Sequence, residues 1–398
     1  MPHLLKSNRP RYSRREFASR FILIMNISLI SFFPLNILLP SFPALAARFN
    51  TPIADIALAI GLFTLVFSIS QLITGPLSDK WGRKEVLLGC ITLSILGAVG
   101  CALAQNYLTF LLFRSLQAAG CGFFVLAHAL VEDLFDEQYR ARVRLYYMTL
   151  GGSFVALSPL IGSWLQTTFD WQGSFYGFAL MALGMLIHAF CILPSRSASV
   201  HRTPVSIIDT LTAVATNRDF LRYWWIAALV FACYFALISV TPLIFMEGLK
   251  LSEYQYALVL MVYGVAYLLG GVAASFLQKR ITLSLQIYIG LGLLGVAGVL
   301  LALIISYKAI TPATLLVPML ISALAVTLVR PAAISAAMLL FSSNAGTAAS
   351  AGNSIMFFTA AISSAALTQT GDHLLMIIAI SFIVFSFWGA LTNARVNR

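Results

Sequence analysis

The sequence predicts an all-α membrane protein in which twelve transmembrane helices form two six-helix bundles. Two observations predict it. About twelve apolar runs of roughly 20 residues follow one another between Phe21 and Trp388, and 60% of the 398 residues are hydrophobic while only 10% are charged. Such a run matches the ~30 Å hydrocarbon layer of a bilayer. Within that layer each run must be helical, because only a helix satisfies its own backbone polar groups there.

The predicted spans form two sets of six. The first set lies near 21–46, 53–76, 85–104, 107–131, 145–168 and 173–194, and the second near 221–246, 254–278, 283–306, 312–341, 346–369 and 371–391. We therefore expect a basic tail at 1–20, a bundle at 21–194, a polar linker at 195–219, a second bundle at 220–392 and a short tail at 393–398. Two halves joined by a linker are typical of transporters, whose substrate site lies near the midplane between them.

Basic residues are distributed unequally over the two sides of the predicted membrane. Twenty of the 25 Lys and Arg residues lie in the tails, the linker and the loops on one side, three lie in loops on the opposite side, and two lie within spans. An excess of Lys and Arg marks the cytoplasmic side. The sequence thus predicts a multi-pass protein of the cytoplasmic (inner) membrane, with both termini in the cytoplasm. The net charge of +11 is a topology signal and does not indicate a nucleic-acid partner.

Other residue patterns exclude whole classes of function. The five cysteines lie in apolar runs at unrelated spacings, which indicates small buried side chains and neither a disulfide framework nor a metal site. The sequence shows no nucleophile–base pair, metal cluster or phosphate-binding loop, and no soluble domain to hold one. We therefore expect a protein that is not an enzyme and that has no cofactor, no metal and no use of ATP.

The most specific motif, GPLSDKWGRK, lies at 75–84 between spans two and three. A short turn containing glycine allows two helices to pack closely, and a carboxylate here can pair with arginines or a helix amino terminus across the predicted cytoplasmic seam. We expect this loop to hold the inner gate shut. Its diagnostic positions are Gly75, Asp79, Gly82, Arg83 and Lys84.

This loop resembles the G-x-L-x-D-[RK]-x-G-R-[RK] motif of the major facilitator superfamily. The segment LLFRSLQAAGCG in span four, with Arg114 and Gln117, resembles the R-x-x-Q-G segment of the same family. Span five resembles the glycine- and proline-containing motif of the family's exporters, although Ser163 stands in place of its last glycine. The matching positions in span five are Gly151, Gly152, Pro159 and Gly162.

Three further stretches are similar to the Bcr/CflA branch of drug–proton antiporters: 217–225, 238–257 and 344–353. This resemblance implies a monomer that exports small molecules and is driven by a proton gradient. One departure concerns Asn36 in span one, where this branch usually has an acid. Asn36 can hydrogen-bond a substrate but cannot carry a proton. Because no Asp or Glu lies at the middle of a predicted span, the proton carrier must lie elsewhere.

Span four supplies the candidates for proton coupling. Polar positions on one of its helical faces are Arg114, Gln117, Cys121, His128 and Glu132. His128 and Glu132, one turn apart, can pair and shift each other's proton affinity. The resemblance places an acid at neighbouring Asp133. We expect proton coupling at these three residues. The alternative is that Glu132 and Asp133 form a cap with a structural role at the membrane interface. In that case His128 has only a packing role.

Span ten carries Arg330, directly followed by Pro331. An unpaired cation within a bilayer costs on the order of 2.5–3.5 kcal/mol, so Arg330 should face a cavity or a partner. With Arg114 it places one guanidinium in each half, and guanidinium groups suit carboxylates or phosphates. The alternative is that Arg330 binds backbone carbonyls. The predicted substrate-binding residues are Asn36, Arg114, Gln117, Tyr234 and Arg330. Further candidates are Phe235, next to Tyr234 in span seven, and then Tyr263 and Tyr267 in span eight.

Taken together, these features predict a secondary active exporter that works by alternating access. Its partners are protons, the lipid bilayer and a small molecule, either one of many drugs or an anionic or zwitterionic metabolite. Two alternatives stay open. One is a dedicated exporter of an endogenous polycarboxylate siderophore or metallophore. The other is a metabolite uniporter or importer, which the missing acid in span one favours.

Overall fold

A computed structural model describes residues 13–194, 216–278, 280–340 and 345–396, together with Thr212. Within these residues, eleven helical segments are long and apolar enough to cross a membrane. A further 33-residue helix, Glu137–Phe169, occupies the position of the fifth predicted span. The described residues contain no β-strand. The predicted all-α membrane fold is therefore confirmed.

The helices follow the predicted spans, with the first and fourth spans each divided in two. The first half contains α1 (Arg14–Asn36), α2 (Phe42–Phe49), α3 (Ile53–Trp81), α4 (Arg83–Ala102), α5 (Tyr107–Cys121), α6 (Leu126–Leu134), α7 (Glu137–Phe169) and α8 (Gln172–Ile192). The second half contains α9 (Arg218–Pro242), α10 (Glu253–Leu277), α11 (Leu283–Ser306), α12 (Pro312–Leu339), α13 (Ala345–Thr368) and α14 (Leu374–Val396). Most of the predicted linker lies outside the described residues.

Prolines act differently in two of the spans. In the first span α1 ends at Asn36, and a 3₁₀ turn with Pro40 in its first positions separates it from α2. Proline lacks the backbone N–H that a continuing helix needs, which accounts for the break at this position. By contrast, α12 continues through both Pro318 and Pro331. Neighbouring helices and local adjustments can satisfy the freed carbonyls of such a proline in a transmembrane helix.

The break in the fourth span was not predicted. A 3₁₀ segment, Gly122–Val125, separates α5 from α6. At Gly122 the chain approaches α3 so closely that a Cβ atom would collide with the side chain of Ser70. Only glycine fits there, so the break places the fourth span directly against the second.

Helices α4 and α5 pack with their backbones in contact. A Cβ atom on Gly97 of α4 would collide with the backbone of Gln117 on α5, and one on Gly120 of α5 would collide with the backbone of Ser94 on α4. Small residues permit this close approach between membrane helices. The packing fixes α5, which carries Arg114 and Gln117. The predicted polar face does not continue on one helix to His128 and Glu132, because the 3₁₀ segment interrupts the span.

The two halves meet along two seams, where α3 packs against α13 and α7 packs against α10. On the first seam, Ser68 Oγ donates a hydrogen bond of 2.8 Å to the carbonyl oxygen of Ser354. The rings of Phe67 and Phe357 cross edge to face with their centroids 5.1 Å apart. These contacts lie at the middle of α3, and contact with Ala365 continues them towards its amino terminus. The predicted topology places that terminus on the extracytoplasmic side.

Candidate functional site

Arg114 is buried in the first half with 1% of its surface exposed. One guanidinium nitrogen donates to Gln117 Oε1 at 2.6 Å and another donates to the carbonyl oxygen of Pro34 at 2.5 Å. Because α1 ends at Asn36, this carbonyl is among the last four of the helix, which lack an intrahelical partner. A cation at a helix carboxyl terminus also interacts favourably with the helix dipole. Arg114 therefore stabilises the broken end of α1.

Aromatic rings enclose the Arg114 guanidinium. Its central carbon lies 4.2 Å from the ring centroid of Phe63 and 5.8 Å from that of Phe175. Asn36, another predicted binding residue, is buried at the last position of α1, two residues beyond Pro34. The structure thus brings Arg114 and Gln117 into direct contact at the break that ends with Asn36.

Arg330 lies in a different environment within the second half. Its side chain is partly exposed, and its guanidinium carbon lies 5.0 Å from the ring centroid of Phe231. One of its nitrogens donates to Tyr267 Oη at 3.3 Å. In the part of the chain that the structure describes, this is the only hydrogen bond of the side chain, and no carboxylate lies within ion-pair distance. The predicted alternative, a bond to backbone carbonyls, is not seen among these residues.

Tyrosine rings surround the Arg330 site. Tyr234 of α9 stacks on Tyr263 with a centroid distance of 5.6 Å, and it packs against Tyr267 with tilted rings at a centroid distance of 5.2 Å. The side chain of Tyr234 is 6% exposed, and its hydroxyl has no hydrogen-bond partner among the described residues. The predicted binding residues Tyr234 and Arg330 therefore belong to one cluster.

A series of aromatic rings runs from one guanidinium to the other across the seam between the halves. Phe63, against Arg114, lies 6.3 Å from Phe67, and Phe357 lies 5.3 Å from Phe231, against Arg330. The Phe67–Phe357 pair joins the two ends. Sequence analysis missed these four residues. Among 29 phenylalanines in apolar runs, no local signal separates them from ordinary core residues.

The loop at 75–84 is organised around Gly82. Its φ angle of +102° favours glycine, and a Cβ atom there would collide with the side chain of Glu85. Arg83 Nε pairs with Asp133 Oδ2 at 2.6 Å, which connects the start of α4 to the end of α6. Lys84 Nζ donates to the carbonyl oxygens of Phe190 and Leu193, at 2.9 and 2.6 Å, near the carboxyl terminus of α8. Two of the predicted gate residues thus fasten neighbouring helices of the first half.

Other positions of this motif contribute less to the described contacts. Gly75 lies within α3, and a Cβ atom there would meet nothing within 4 Å. The side chain of Asp79, which the sequence predicts to pair across the seam, lies outside the described residues.

The predicted proton-coupling acids form ion pairs with arginines. Glu132 Oε2 lies 2.7 Å from Arg140 Nη1, and Arg140 also donates to the carbonyl oxygen of Glu132 at 2.8 Å. Asp133 pairs with Arg83 of the gate loop. The side chains of Glu132 and Asp133 are 28% and 44% exposed, so water reaches both. This arrangement agrees with the alternative of an interfacial cap. The side chain of His128 lies outside the described residues.

The motif in span five contributes one described contact. A Cβ atom on Gly162 of α7 would collide with the carbonyl oxygen of Ile37, directly after α1. Close packing of α7 against the broken first span therefore requires glycine. The surroundings of Gly151, Gly152 and Pro159 in α7 lie outside what the structure describes.

Two helical halves that meet along two seams, with an arginine in the membrane-spanning region of each, define a two-bundle membrane transporter. A profile of the Major Facilitator Superfamily matches residues 24–365, and the chain belongs to that superfamily. Multidrug resistance protein MdtL of Escherichia coli strain K12 is 27% identical over 252 residues. MdtL of Shigella boydii serotype 18 is 27% identical over 248 residues. Each alignment covers 61% of this chain and 62% of the relative.

Solved structures agree on the fold. The crystal structure of a D-xylose-proton symporter has a TM-score of 0.76 at 16% identity, covering 96% of this chain and 97% of that one. The xylose transporter XylE of E. coli, in a partially occluded inward-open conformation, has a TM-score of 0.73 at 14% identity, with the same coverage of both chains. A bacterial homologue of the human lysosomal transporter Spinster, inward-facing and unoccupied, has a TM-score of 0.69 at 14% identity, covering 97% and 99%. At these identities the likeness shows the fold alone. Family and relatives are transporters and not enzymes.

Proposed function

We propose that this transporter is a monomer that exports small molecules across the cytoplasmic membrane by proton-driven antiport. The observation that carries the proposal is the similarity to multidrug resistance protein MdtL over 61% of the chain. The two seams between the halves support the mechanism. Rocking of one half against the other exposes a central site to each side of the membrane in turn.

The contacts on the first seam indicate which side is closed. Among the described residues, the seam contacts given above run from Gly61 to Ser68, in the half of α3 that begins at its predicted extracytoplasmic end, and they close this side. We infer an inward-facing state in which cargo enters from the cytoplasm. The outward-facing state then requires these contacts to separate. A ligand drives this change only if it binds one state better than the other.

Protonation of Asp133 is the coupling step that the geometry supports best. Its carboxylate is partly exposed and holds Arg83 of the gate loop. A proton on Asp133 removes the charge that attracts Arg83, which loosens the connection between α6 and α4. Glu132 offers a second, similar pair with Arg140. In this proposal, proton binding at these pairs alters the relative free energies of the inward- and outward-facing states.

Asp133→Asn should make efflux insensitive to the pH gradient, because asparagine cannot bind or release the coupling proton. Efflux of a fluorescent drug from proteoliposomes, with and without an imposed gradient, measures the effect. We expect wild-type efflux to accelerate about tenfold with the gradient, the change produced by about 1.4 kcal/mol, and the variant to show almost no acceleration. Asp219→Asn is the matched control, because Asp219 also pairs with an arginine, Arg222 at 2.8 Å, within one helix. Equal wild-type rates in both conditions would rule out proton coupling.

A dedicated exporter of one anionic metabolite, such as a polycarboxylate siderophore, is the second candidate. Arg330 is partly exposed and forms no ion pair among the described residues. This favours an anionic cargo, since a lipophilic cation would be repelled there. A uniporter or importer is a third candidate, because Glu132 and Asp133 already bind arginines. Metabolite profiles of cells with and without the gene, inside and outside, separate a narrow cargo range from broad drug efflux.

A further inference from the structure

The two membrane arginines differ in the hydrogen-bonding capacity that they leave for a ligand. Arg114 bonds to Gln117 and to the carbonyl of Pro34, and aromatic rings enclose it. Arg330 makes one hydrogen bond, to Tyr267, among the described residues, and its side chain is partly exposed. A guanidinium has five N–H donors in a fixed plane. Most of the donors of Arg330 are therefore available.

Tyr234 provides a second and independent observation. Its hydroxyl is buried and has no hydrogen-bond partner among the described residues. A buried polar group without a partner is uncommon, and a missing ligand or water is a usual explanation. The ring of Tyr234 packs on that of Tyr267, whose hydroxyl accepts from Arg330. The unpartnered hydroxyl therefore belongs to the same cluster as the available guanidinium.

The walls of this cluster are aromatic. Phe231 covers one face of the Arg330 guanidinium at 5.0 Å and lies 6.2 Å from the ring of Tyr234. A guanidinium that is covered on one face still has its edge, and the edge of the planar group can bind a carboxylate through two parallel hydrogen bonds. Aromatic walls favour a ligand ring that stacks or packs edge to face.

We propose that Arg330, Tyr234 and Tyr267 bind the carboxylate of an aromatic acid, whose ring packs against Phe231. The site belongs to the second half alone, and Arg114 acts as a structural support in the first half. This inference rests on the proposed transport function and names its class of cargo. It departs from the expectation that both arginines contact the cargo directly.

The binding test uses the full-length protein in detergent and isothermal titration calorimetry. The probes are 1-naphthoate, the neutral 1-naphthamide and the non-aromatic cyclohexanecarboxylate. We expect 1-naphthoate to bind at least about tenfold more tightly than either of the others, since a charge-assisted hydrogen bond contributes a factor of that order. Failure of 1-naphthoate to bind the wild type, or equal binding of 1-naphthamide, would overturn the proposal.

Variants then locate the site. Arg330→Gln should weaken 1-naphthoate binding about tenfold or more, and Tyr234→Phe, which removes only the hydroxyl, about threefold or more. Arg395→Gln, at an exposed position of α14, is the control and should bind as the wild type does. If Arg330→Gln does not fold, Tyr234→Phe decides alone. Unchanged affinity in a folded variant contradicts the proposal. Because the assay needs no gradient, a failure of proton-driven export leaves its result unaffected.

Discussion

Gly120→Ala should prevent α4 and α5 from packing and should leave little folded protein. The new Cβ atom would collide with the backbone nitrogen of Ser94, and backbone cannot move aside as a flexible side chain can. Overpacking of a tight core costs about 3 kcal/mol at the upper end of the usual range. We expect the variant to aggregate in size-exclusion chromatography after solubilisation, or to melt at a clearly lower temperature.

Gly89→Ala is the matched control on the same pair of helices. Gly89 lies in α4, and a Cβ atom there would meet nothing within 4 Å. Alanine favours a helix by about 1 kcal/mol over glycine, so the control should be as stable as the wild type or slightly more stable. If both variants melt at the temperature of the wild type, the proposed close packing of α4 against α5 is contradicted.

Arg114→Met should destabilise the protein and abolish transport. Methionine has no donor, so the buried carbonyl of Pro34 and the amide oxygen of Gln117 both lose a charge-assisted hydrogen bond. An unsatisfied buried acceptor costs about 1–3 kcal/mol, so the two together should cost about 3 kcal/mol. Arg114→Lys should fare little better, because a single ammonium cannot reproduce the planar fork between Phe63 and Phe175.

Thermal denaturation and cargo binding together show which role Arg114 has. If Arg114 is a structural support, Arg114→Met should lower the melting temperature. The fraction of the variant that stays folded should then keep its affinity for cargo. Arg48→Met, which removes an exposed arginine that lies over the ring of Phe49, should leave both properties unchanged. A fully stable Arg114→Met protein with weakened cargo affinity would instead make Arg114 a direct ligand.

Hydropathy predicts the positions of most helices, because it reports where the chain meets hydrocarbon. The predicted span at 283–306 coincides with α11, Leu283–Ser306. The helix of the fifth span, α7, is different: it begins at Glu137, before the predicted residue 145. A helix can extend past the bilayer into polar sequence that hydropathy does not register.

Tertiary partners are less predictable than spans. The sequence shows Arg114 on a polar face, but the carbonyl that it binds became available only because α1 ends two residues after Pro34. Similarly, the pairing of Glu132 with Arg140 depends on the turn between α6 and α7. The gate motif predicts a role for Arg83 in holding the gate shut, and its described partner, Asp133, lies in the same half. Periodicity places residues on a face, whereas partners depend on how helices cross.

A disulfide across the first seam tests the central claim most directly. A Cβ atom at Gly61 of α3 would lie 3.6 Å from that of Ala365 in α13, within the 3.5–4.5 Å range of disulfides. The pair Gly61→Cys and Ala365→Cys should therefore cross-link, in a background without the native cysteines. The control pair, Gly295→Cys and Ser386→Cys, has a corresponding distance of 3.4 Å, close to the lower limit of that range, and lies within the second half.

Rocking of the two halves predicts that oxidation of the Gly61/Ala365 pair stops transport in proteoliposomes and that reduction restores it. Oxidation of the Gly295/Ser386 pair should leave transport intact, because a link within one half does not oppose its movement as a rigid body. Full transport by protein shown to be cross-linked between Gly61→Cys and Ala365→Cys would contradict alternating access by separation of this seam.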